Sequence, residues 1–271
     1  MLALLLSTLL FVARAEWEEV SGFPQTYSRY YGPHAGAMSE DASKTLIVGR
    51  KEVYVVTDHD FENKVEIDFD ELFTDMEGQL HVAAMSKDGS KIVIGGHQGG
   101  HVYLSSDGGE TWTRDATLPA RTYTGAAVSE DGSKIVVCNN PTYGSGDNVG
   151  ELQMSSDGGA TWTVVLSGPR FNDCTMSEDG QTILGTGQAG KFHKSVDGGL
   201  NFTEHGDEID WHRVAMSADG QKIMASVMYD AGQISLDGGD TWTANAQHSE
   251  TGDWDDVAIT PDGSKMYEQE E

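Results

Sequence analysis

Three arginines recur at intervals of 49 and 43 residues, as Arg121, Arg170 and Arg213. Guanidinium groups bind carboxylates through paired hydrogen bonds, and two carboxyl groups at a fixed separation can hydrolyse a glycosidic bond. Asp230 and Asp255 lie farther along the chain and are available for that second role. These five residues are the catalytic candidates if the protein is a glycosidase, although no motif around them specifies a reaction.

Aromatic and polar residues suited to ligand contact are spread along the chain at similar intervals. The candidates are His34, His81, Tyr123, Asn172, Trp211, His212, Tyr229 and Trp254. Aromatic rings can stack on sugars or on a partner's side chains, but more often they fill the seam between packed sheets, and both interpretations stay open. The histidines lack a metal-ligand spacing such as HExxH, so we expect a polar lining, no metal and no cofactor.

Two short motifs alternate along the chain and predict the elements that position these residues. The first reads Met-Ser-x-Asp-Gly, with variations, and begins at residues 38, 85, 128, 176, 216 and 259. A period of 40 to 48 residues suits a repeated unit of four short strands. Asp-Gly and Gly-Gly between apolar runs are strong hairpin signals, because glycine adopts positive φ without a Cβ clash.

The second motif reads Ser-x-Asp-Gly-Gly-x-Thr-Trp-Thr and predicts a stapled turn. Its aspartate can accept hydrogen bonds from amides of its own turn, and its aromatic residue is a large apolar anchor. We therefore predict structural roles for the shared residues of the four copies. They are Ser105, Asp107, Gly109 and Trp112; Ser155, Asp157, Gly159 and Trp162; Ser195, Asp197, Gly199 and Phe202; Ser235, Asp237, Gly239 and Trp242.

These four copies resemble the Asp-box, or BNR, repeat of the sialidase-like superfamily. The resemblance implies an all-β fold, a β-propeller of about six four-stranded antiparallel blades, or seven if the chain is a fragment. It also implies that the box lies on the turn between the third and fourth strands, on the face opposite the active site. The DGG-x-TW units are especially similar to those of the photosystem II stability and assembly factor family, which assists membrane-protein assembly.

The first and last units depart from the repeat. The first has Thr57-Asp58-His59-Asp60 where a box is expected, and the last stops soon after its second strand. The segment Glu16–Val20 resembles a fourth strand of the other units, so it could complete the last blade and close the ring. Closure would remove exposed sheet edges.

Residues 1–15 read as a secretory signal peptide, a short apolar run that ends in small residues and is cut after Ala15. Residues 16–271 then form the propeller, which we expect to be a monomer that does not span a membrane. The expected location is secreted, extracellular or an organelle lumen. A net charge of −27 opposes binding to nucleic acid and to anionic membranes, and disfavours anionic ligands without a local basic pocket.

Two covalent features depend on that export. Cys138 and Cys174 fall in neighbouring repeats, where they could form a disulfide or remain two small buried thiols. Asn201-Phe202-Thr203 is an acceptor triplet for N-glycosylation at Asn201.

The favoured function is a non-catalytic binding or assembly propeller that recognises a protein or a glycan at the channel mouth. The alternative is a sialidase-like or other glycoside hydrolase, but the Phe/Tyr-Arg-Ile-Pro segment that marks the first sialidase arginine is absent. A WD-repeat propeller is disfavoured, because only Trp254-Asp255 carries that dipeptide.

Overall fold

The computed structural model describes residues 35–50, 52–58, 60, 64–68, 79–141, 149–168, 170–187, 190–228, 230–245 and 254–270. Within these ranges, 22 strands form six antiparallel sheets, and no helix occurs. Five sheets have four strands, and the sixth has two strands in the part of the chain that is described. The segment Glu16–Val20, expected to complete the sixth sheet, lies outside these residues.

Each sheet is a meander in which sequential strands pair. The first sheet contains β1 (Ala35–Met38), β2 (Lys44–Val48), β3 (Glu52–Thr57) and β4 (Val65–Asp68). The second contains β5 (Gln79–Met85), β6 (Ile92–His97), β7 (Val102–Ser105) and β8 (Thr113–Arg114). The third contains β9 (Thr122–Val128), β10 (Ile135–Asn140), β11 (Gly150–Ser155) and β12 (Thr163–Gly168).

The remaining sheets repeat the same order. The fourth contains β13 (Phe171–Met176), β14 (Ile183–Gly187), β15 (Gly190–Ser195) and β16 (Thr203–Ile209). The fifth contains β17 (Trp211–Met216), β18 (Ile223–Val227), β19 (Asp230–Ser235) and β20 (Thr243–Ala244). The sixth contains β21 (Trp254–Ile259) and β22 (Met266–Glu270).

The sheets are the blades of a β-propeller, which confirms the predicted fold class. Their first strands pack against one another in chain order, from β1 to β5, β9, β13, β17 and β21. We therefore number the sheets as blades 1 to 6 and call the space that their first strands enclose the channel. Clusters of buried side chains fill the seams between successive blades, as when Val55 of blade 1 packs with Ile92 and Tyr103 of blade 2.

A β-bulge recurs in the first strand of blades 2 to 6. It interrupts the register between Leu80 and Val82, between Phe171 and Asp173, and at the equivalent position of the other three blades. A bulge adds a residue to one strand and turns the neighbouring side chains. Side chains that follow the bulge can therefore point into the channel.

Candidate functional site

The Asp-boxes form the hydrogen-bonded staples that the sequence predicts. In blade 3, Ser155 Oγ donates to Asp157 Oδ1 at 2.8 Å and accepts the amide of Gly159 at 2.8 Å. The amide of Thr161 also donates to Asp157 Oδ1, at 2.8 Å. Hydrogen bonds from Thr161 and Ser155 lower the pKa of Asp157 to about 2. The carboxylate is thus held by its own turn.

The other three boxes repeat this geometry, and their aspartates have pKa values lowered to about 2. In blade 4, Asn201 takes the place of the threonine, and its Nδ2 donates to Asp197 Oδ2 at 2.7 Å. The side chain is exposed at the surface. A glycan on Asn201 would use the nitrogen that makes this contact.

The aromatic residue of each box lies in the seam with the preceding blade. Trp112 is 9% exposed and packs with Leu46 and Val55 of blade 1. Trp242 of blade 5 lies 5.0 Å from the ring of Phe192 in blade 4. The predicted anchor therefore joins two blades.

The first motif is a second kind of staple, on the turn between the first two strands of each blade. Ser86 Oγ donates to Asp88 Oδ1 at 2.7 Å and accepts the amide of Lys91 at 2.9 Å. The box lies beside this turn, because the amide of Gly108 donates to the carbonyl of Ser90 at 2.8 Å. Both staples thus occupy one face of the propeller, which we call the turn face.

Backbone hydrogen bonds connect these turns from blade to blade. The residue after each motif serine donates its amide to the equivalent carbonyl of the next blade. The series runs through Glu40, Lys87, Glu130, Glu178, Ala218 and Pro261, at 2.8 to 3.3 Å. These five bonds link the six blades in chain order along the mouth of the channel on the turn face.

Lys87 forms ion pairs with glutamates at this mouth, a contact that the sequence did not reveal. Its Nζ lies 2.8 Å from Glu40, 3.1 Å from Glu130 and 3.3 Å from Glu178. The contacts with Glu130 and Glu178 raise the pKa of Lys87. One cation therefore bridges carboxylates from three other blades.

The predicted aromatic platform is enclosed by protein. Tyr123 and Phe171 are 0% exposed, and Trp211, at the same repeat position, is 1% exposed. Tyr123 donates its hydroxyl to the carbonyl of Pro119 at 2.7 Å, and Trp211 donates its indole N–H to that of Asp207 at 3.0 Å. These rings take the seam-filling role, the other interpretation that the sequence left open.

Polar side chains of the first strands tie neighbouring blades together around the channel. Thr124 Oγ1 donates to the carbonyl of Phe171 at 2.8 Å, and Asn172 Nδ2 donates to that of Trp211 at 2.8 Å. Arg213 reaches farther, since its Nη1 lies 3.2 Å from the carbonyl oxygen of Thr124 and 3.3 Å from that of Asn172. Arg213 of blade 5 therefore clamps blades 3 and 4 through the channel.

Asp173 is a buried carboxyl group of the channel, and the sequence did not single it out. Its Oδ1 accepts the amide of Cys174 at 2.8 Å, and its Oδ2 accepts that of Val214 at 3.1 Å. Burial raises the pKa of Asp173 to about 6, although the positive charge of Arg213 opposes the rise. The negative charge of Asp256 adds to it. The signal available in the sequence was position, because all three residues stand four places before the motif serine or threonine.

The other predicted catalytic residues stand at different repeat positions. Arg121 pairs with Gly100 in an isolated bridge, and Arg170 lies just before β13. Asp230 is exposed at the start of β19, where its Oδ1 accepts the amide of Ala231 at 2.7 Å. For Asp255, only the backbone position in β21 is described.

Among the predicted ligand residues, His81 lies in β5 with its ring centroid 4.9 Å from that of His97. Burial lowers the pKa of His97. His212 lies in β17 and is partly buried. His34 and Tyr229 lie outside the described residues, and the side chain of Trp254 does too.

Cys138 and Cys174 are both buried free thiols in adjacent blades. Thr124 Oγ1 lies 3.5 Å from Cys138 Sγ. Burial raises the pKa of the Cys174 thiol, and a hydrogen bond with the Cys138 thiol adds to the rise. This arrangement corresponds to the second interpretation, two small buried side chains.

Two features are absent from the described ranges. No group of three or more metal-ligating side chains converges there. No helix among those residues is long and apolar enough to cross a membrane.

Comparison with known proteins supports the repeat and the fold. The family model for the BNR/Asp-box repeat matches residues 103–114. No curated protein sequence matches the chain.

Three solved structures are similar in fold. The GH74 enzyme of Niastella koreensis has a TM-score of 0.65 at 14% identity, over 88% of this chain and 45% of the enzyme. This chain therefore spans less than half of that enzyme. The Cps50 (Swd1) β-propeller domain of Myceliophteria thermophila has a TM-score of 0.66 at 12% identity, over 88% and 79% of the two chains. YCF48 bound to a D1 peptide has a TM-score of 0.62 at 15% identity, over 89% and 75%.

At these sequence identities the similarity shows only a common fold. The geometry of the boxes shows in addition that the blades are built from one repeated motif. The staple that the family model matches in blade 2 recurs with the same hydrogen bonds in blades 3, 4 and 5. The chain is a β-propeller built from BNR/Asp-box repeats, similar in fold to YCF48.

Proposed function

We propose that this propeller is a non-catalytic binding module that holds a segment of a protein partner at the channel mouth opposite the turn face. One observation carries the proposal: the polar side chains along the channel are already bonded to main-chain groups of neighbouring blades. Arg213 and Asn172 make such bonds across two or three blades. Groups held in this way form a rigid rim suited to recognition.

The likeness to YCF48 supports a protein as the partner class. The structure of YCF48 contains a bound D1 peptide, and the region similar to the present chain covers 75% of YCF48. The present chain has a comparable fold, and Arg121 and Arg170 precede the first strands of blades 3 and 4, at the strand ends opposite the turn face. Loops on a rigid scaffold commonly carry binding residues.

Export belongs to the same proposal. Cleavage after Ala15 would release the acidic propeller into the extracellular space or an organelle lumen. The mature chain would begin at Glu16, which N-terminal sequencing of protein recovered from the medium or lumen tests.

A glycoside hydrolase is the second candidate, because one observation favours it. Asp173 has a pKa raised to about 6, within the range of a general acid, and the negative charge of Asp256 acts on it. The fold is also similar to that of a GH74 enzyme. Against this candidate, both Oδ atoms of Asp173 already accept backbone amides.

A paired experiment separates the two candidates. The chain without residues 1–15 is immobilised for partner capture from the cell compartment that contains it, and is assayed in parallel on fluorogenic glycosides and a glycan array. We expect a captured protein whose binding is weakened at least about tenfold by Arg121→Ala with Arg170→Ala. Lys265→Ala, an exposed lysine on the turn face, is the control.

Two outcomes would contradict the binding proposal. Glycoside turnover that Asp173→Asn abolishes, with the fold intact by circular dichroism, would establish the enzyme. Glycan binding without turnover, and without protein capture, would replace the protein partner by a carbohydrate.

A further inference from the structure

The turn face carries exposed apolar side chains on two neighbouring boxes. Val196 is 65%, Leu200 83% and Leu236 68% exposed, and they are three of the six large hydrophobic residues exposed in the described chain. Val196 and Leu200 belong to the box of blade 4, and Leu236 belongs to that of blade 5. Leaving such side chains in water has a free-energy cost, so their concentration on adjacent turns calls for an explanation.

The box itself does not need apolar residues at these positions. The equivalent residues of blades 2 and 3 are Ser106, Glu110, Ser156 and Ala160, which are also exposed. Their boxes keep the same bond from the second glycine to the serine hydroxyl, 2.8 Å in blades 2 and 3 against 2.9 and 2.7 Å in blades 4 and 5. The apolar side chains therefore serve something outside the box.

The two boxes are held side by side. Lys194 Nζ, two residues before Val196, bonds to Asp240 Oδ1 of the next box at 2.8 Å. The same pair of blades is joined below by Phe192 and Trp242, whose rings lie 5.0 Å apart. The three apolar side chains thus belong to two boxes that are in direct contact.

Carboxylates surround these apolar side chains. Asp197 and Asp237 have pKa values lowered to about 2 by hydrogen bonds within their boxes, so both stay ionised well into the acid range. Asp179 and Asp219 lie on the adjacent stapled turns, and hydrogen bonds lower their pKa values as well. The nearby Lys194 is 9% exposed and already bonded to Asp240. Lys134 acts on Asp179 and Lys222 acts on Asp219, so three lysines stand against five carboxylates and the local charge is negative.

We propose that this Leu-Asp patch, formed by Val196, Leu200 and Leu236 with Asp197, Asp237 and Asp240, docks a cationic amphipathic segment of a protein partner. Leucine-like side chains of the segment would cover the apolar residues, and its lysines or arginines would face the carboxylates. Two other occupants are disfavoured by charge. A second copy would bring two negative patches together, and an anionic membrane would be repelled by a chain of net charge −27.

The Leu-Asp patch is independent of the proposed function, because it lies on the opposite face. Strands alternate direction in each blade, so the boxes share a face with the first-motif turns, as the bond from Gly238 to Gln221 records at 2.7 Å. The loops of the channel mouth lie at the other ends of the strands. One site can therefore fail while the other stands.

The test uses a fluorescently labelled synthetic peptide of about 15 lysine and leucine residues, arranged so that one side is cationic and the other apolar. The protein is titrated into the peptide, and binding is followed by fluorescence anisotropy. The variant Val196→Ser, Leu200→Ala, Leu236→Ser installs the residues that blade 3 uses at these positions. We expect the dissociation constant to rise by about tenfold or more in this variant. Added salt should also weaken binding, because exposed charges are screened.

Two controls locate the effect. Val65→Ser removes an apolar side chain that is 58% exposed on blade 1 and should leave the affinity unchanged. A lysine–serine peptide of equal charge should bind at least tenfold more weakly to the unmodified chain. Carbodiimide cross-linking followed by mass spectrometry should join peptide lysines to Asp197, Asp237 or Asp240.

Three outcomes would overturn the proposal. They are equal affinity of the peptide for the triple variant, cross-links confined to the channel mouth, and no binding at low salt. A dimer of the unmodified chain that the triple variant converts to a monomer in sedimentation analysis would assign the patch to self-association instead.

Discussion

Aspartate serves opposite purposes in this protein, according to what surrounds each carboxyl group. In the boxes, Asp107 and Asp157 accept several hydrogen bonds at the surface, and their pKa values fall to about 2. Asp173 accepts two backbone amides as well, but enclosure in the channel dominates and its pKa rises to about 6. At the surface, hydrogen bonds that favour the ionised form determine the pKa. Inside the channel, desolvation determines it.

We predict that Asp173→Asn changes the pH dependence of stability. A folded pKa above the unfolded value means that the native carboxyl binds its proton more tightly, so its contribution is full below about pH 4 and is lost as pH rises to about 6. Urea unfolding of both proteins should show the variant gaining relative to wild type by up to about 1.4 kcal/mol per pH unit in that window.

We predict that Asp157→Asn changes the pH dependence of stability in the opposite direction, because the folded-state pKa of Asp157 is lowered to about 2. Asp157 stabilises above about pH 4, and that contribution should vanish as pH falls toward 2. A difference between wild type and Asp173→Asn that stays constant from pH 4 to 7 would show that this carboxyl does not titrate there.

Among the structural elements, the seam between blades depends on aromatic side chains from two places in each repeat. One ring comes from the box, such as Trp112, and the other lies at the start of the first strand, such as Tyr123. In blade 5 the two kinds meet, because Trp211 and Trp242 lie 5.0 Å apart. Adjacent blades are therefore joined by large apolar contacts in addition to the backbone bonds of their turns.

We predict that Trp112→Ala destabilises the protein by about 3–5 kcal/mol, because it leaves a cavity between blades 1 and 2. Trp112→Phe should cost clearly less, since Phe202 fills the equivalent position in blade 4. Urea unfolding followed by circular dichroism measures both. Equal losses for the two variants would mean that the indole hydrogen bond from Trp112 Nε1 to the carbonyl of Gly109, at 3.1 Å, matters more than ring volume.

For the whole molecule, the net charge of −27 means that negative side chains repel one another across the propeller. Glutamates from three blades face the channel mouth on the turn face, and Lys87 neutralises part of their charge. Other lysines act between neighbours, as when Lys91 Nζ donates to the carbonyl of Gly158 at 2.7 Å. Both of these lysines therefore act where blades meet.

We predict that Lys87→Met lowers the melting temperature at low ionic strength, and that added sodium chloride recovers most of the loss. The reason is repulsion among Glu40, Glu130 and Glu178, which salt screens. Adding Glu130→Gln should also recover it. Lys265→Met removes the same charge from an exposed position and should have little effect in differential scanning calorimetry. A loss that salt does not reduce would point to packing rather than charge.

Much of the fold could be predicted from the sequence, because its decisive contacts are local. The serine, aspartate and glycine of a box interact within four residues, so their spacing alone specifies the turn. Repetition of that turn at blade length then specifies stacked four-stranded sheets. The turn in blade 1 could also be recognised as degenerate, and it still lies beside the first-motif turn, because the amide of Asp58 donates to the carbonyl of Ser43 at 2.7 Å.

The candidate site was predicted only in part. Arg213 was named from its type and repeat position, but its bond to Thr124 spans 89 residues of sequence. Asp173 was passed over because no local pattern shows that a bulge aims it at Val214. Lys87 lies in a turn whose local sequence does not indicate its partners, since its contact with Glu178 spans 91 residues.

The sequence by itself determined the repeat, the stapled turns and the blade, since each follows from residues a few positions apart. Only the tertiary structure decided which rings fill the seams, which carboxyl group is buried in the channel and which cation joins the blades. Ring assembly brings equivalent positions of distant repeats together, and the side chains' direction after a bulge and their distance from water are set there.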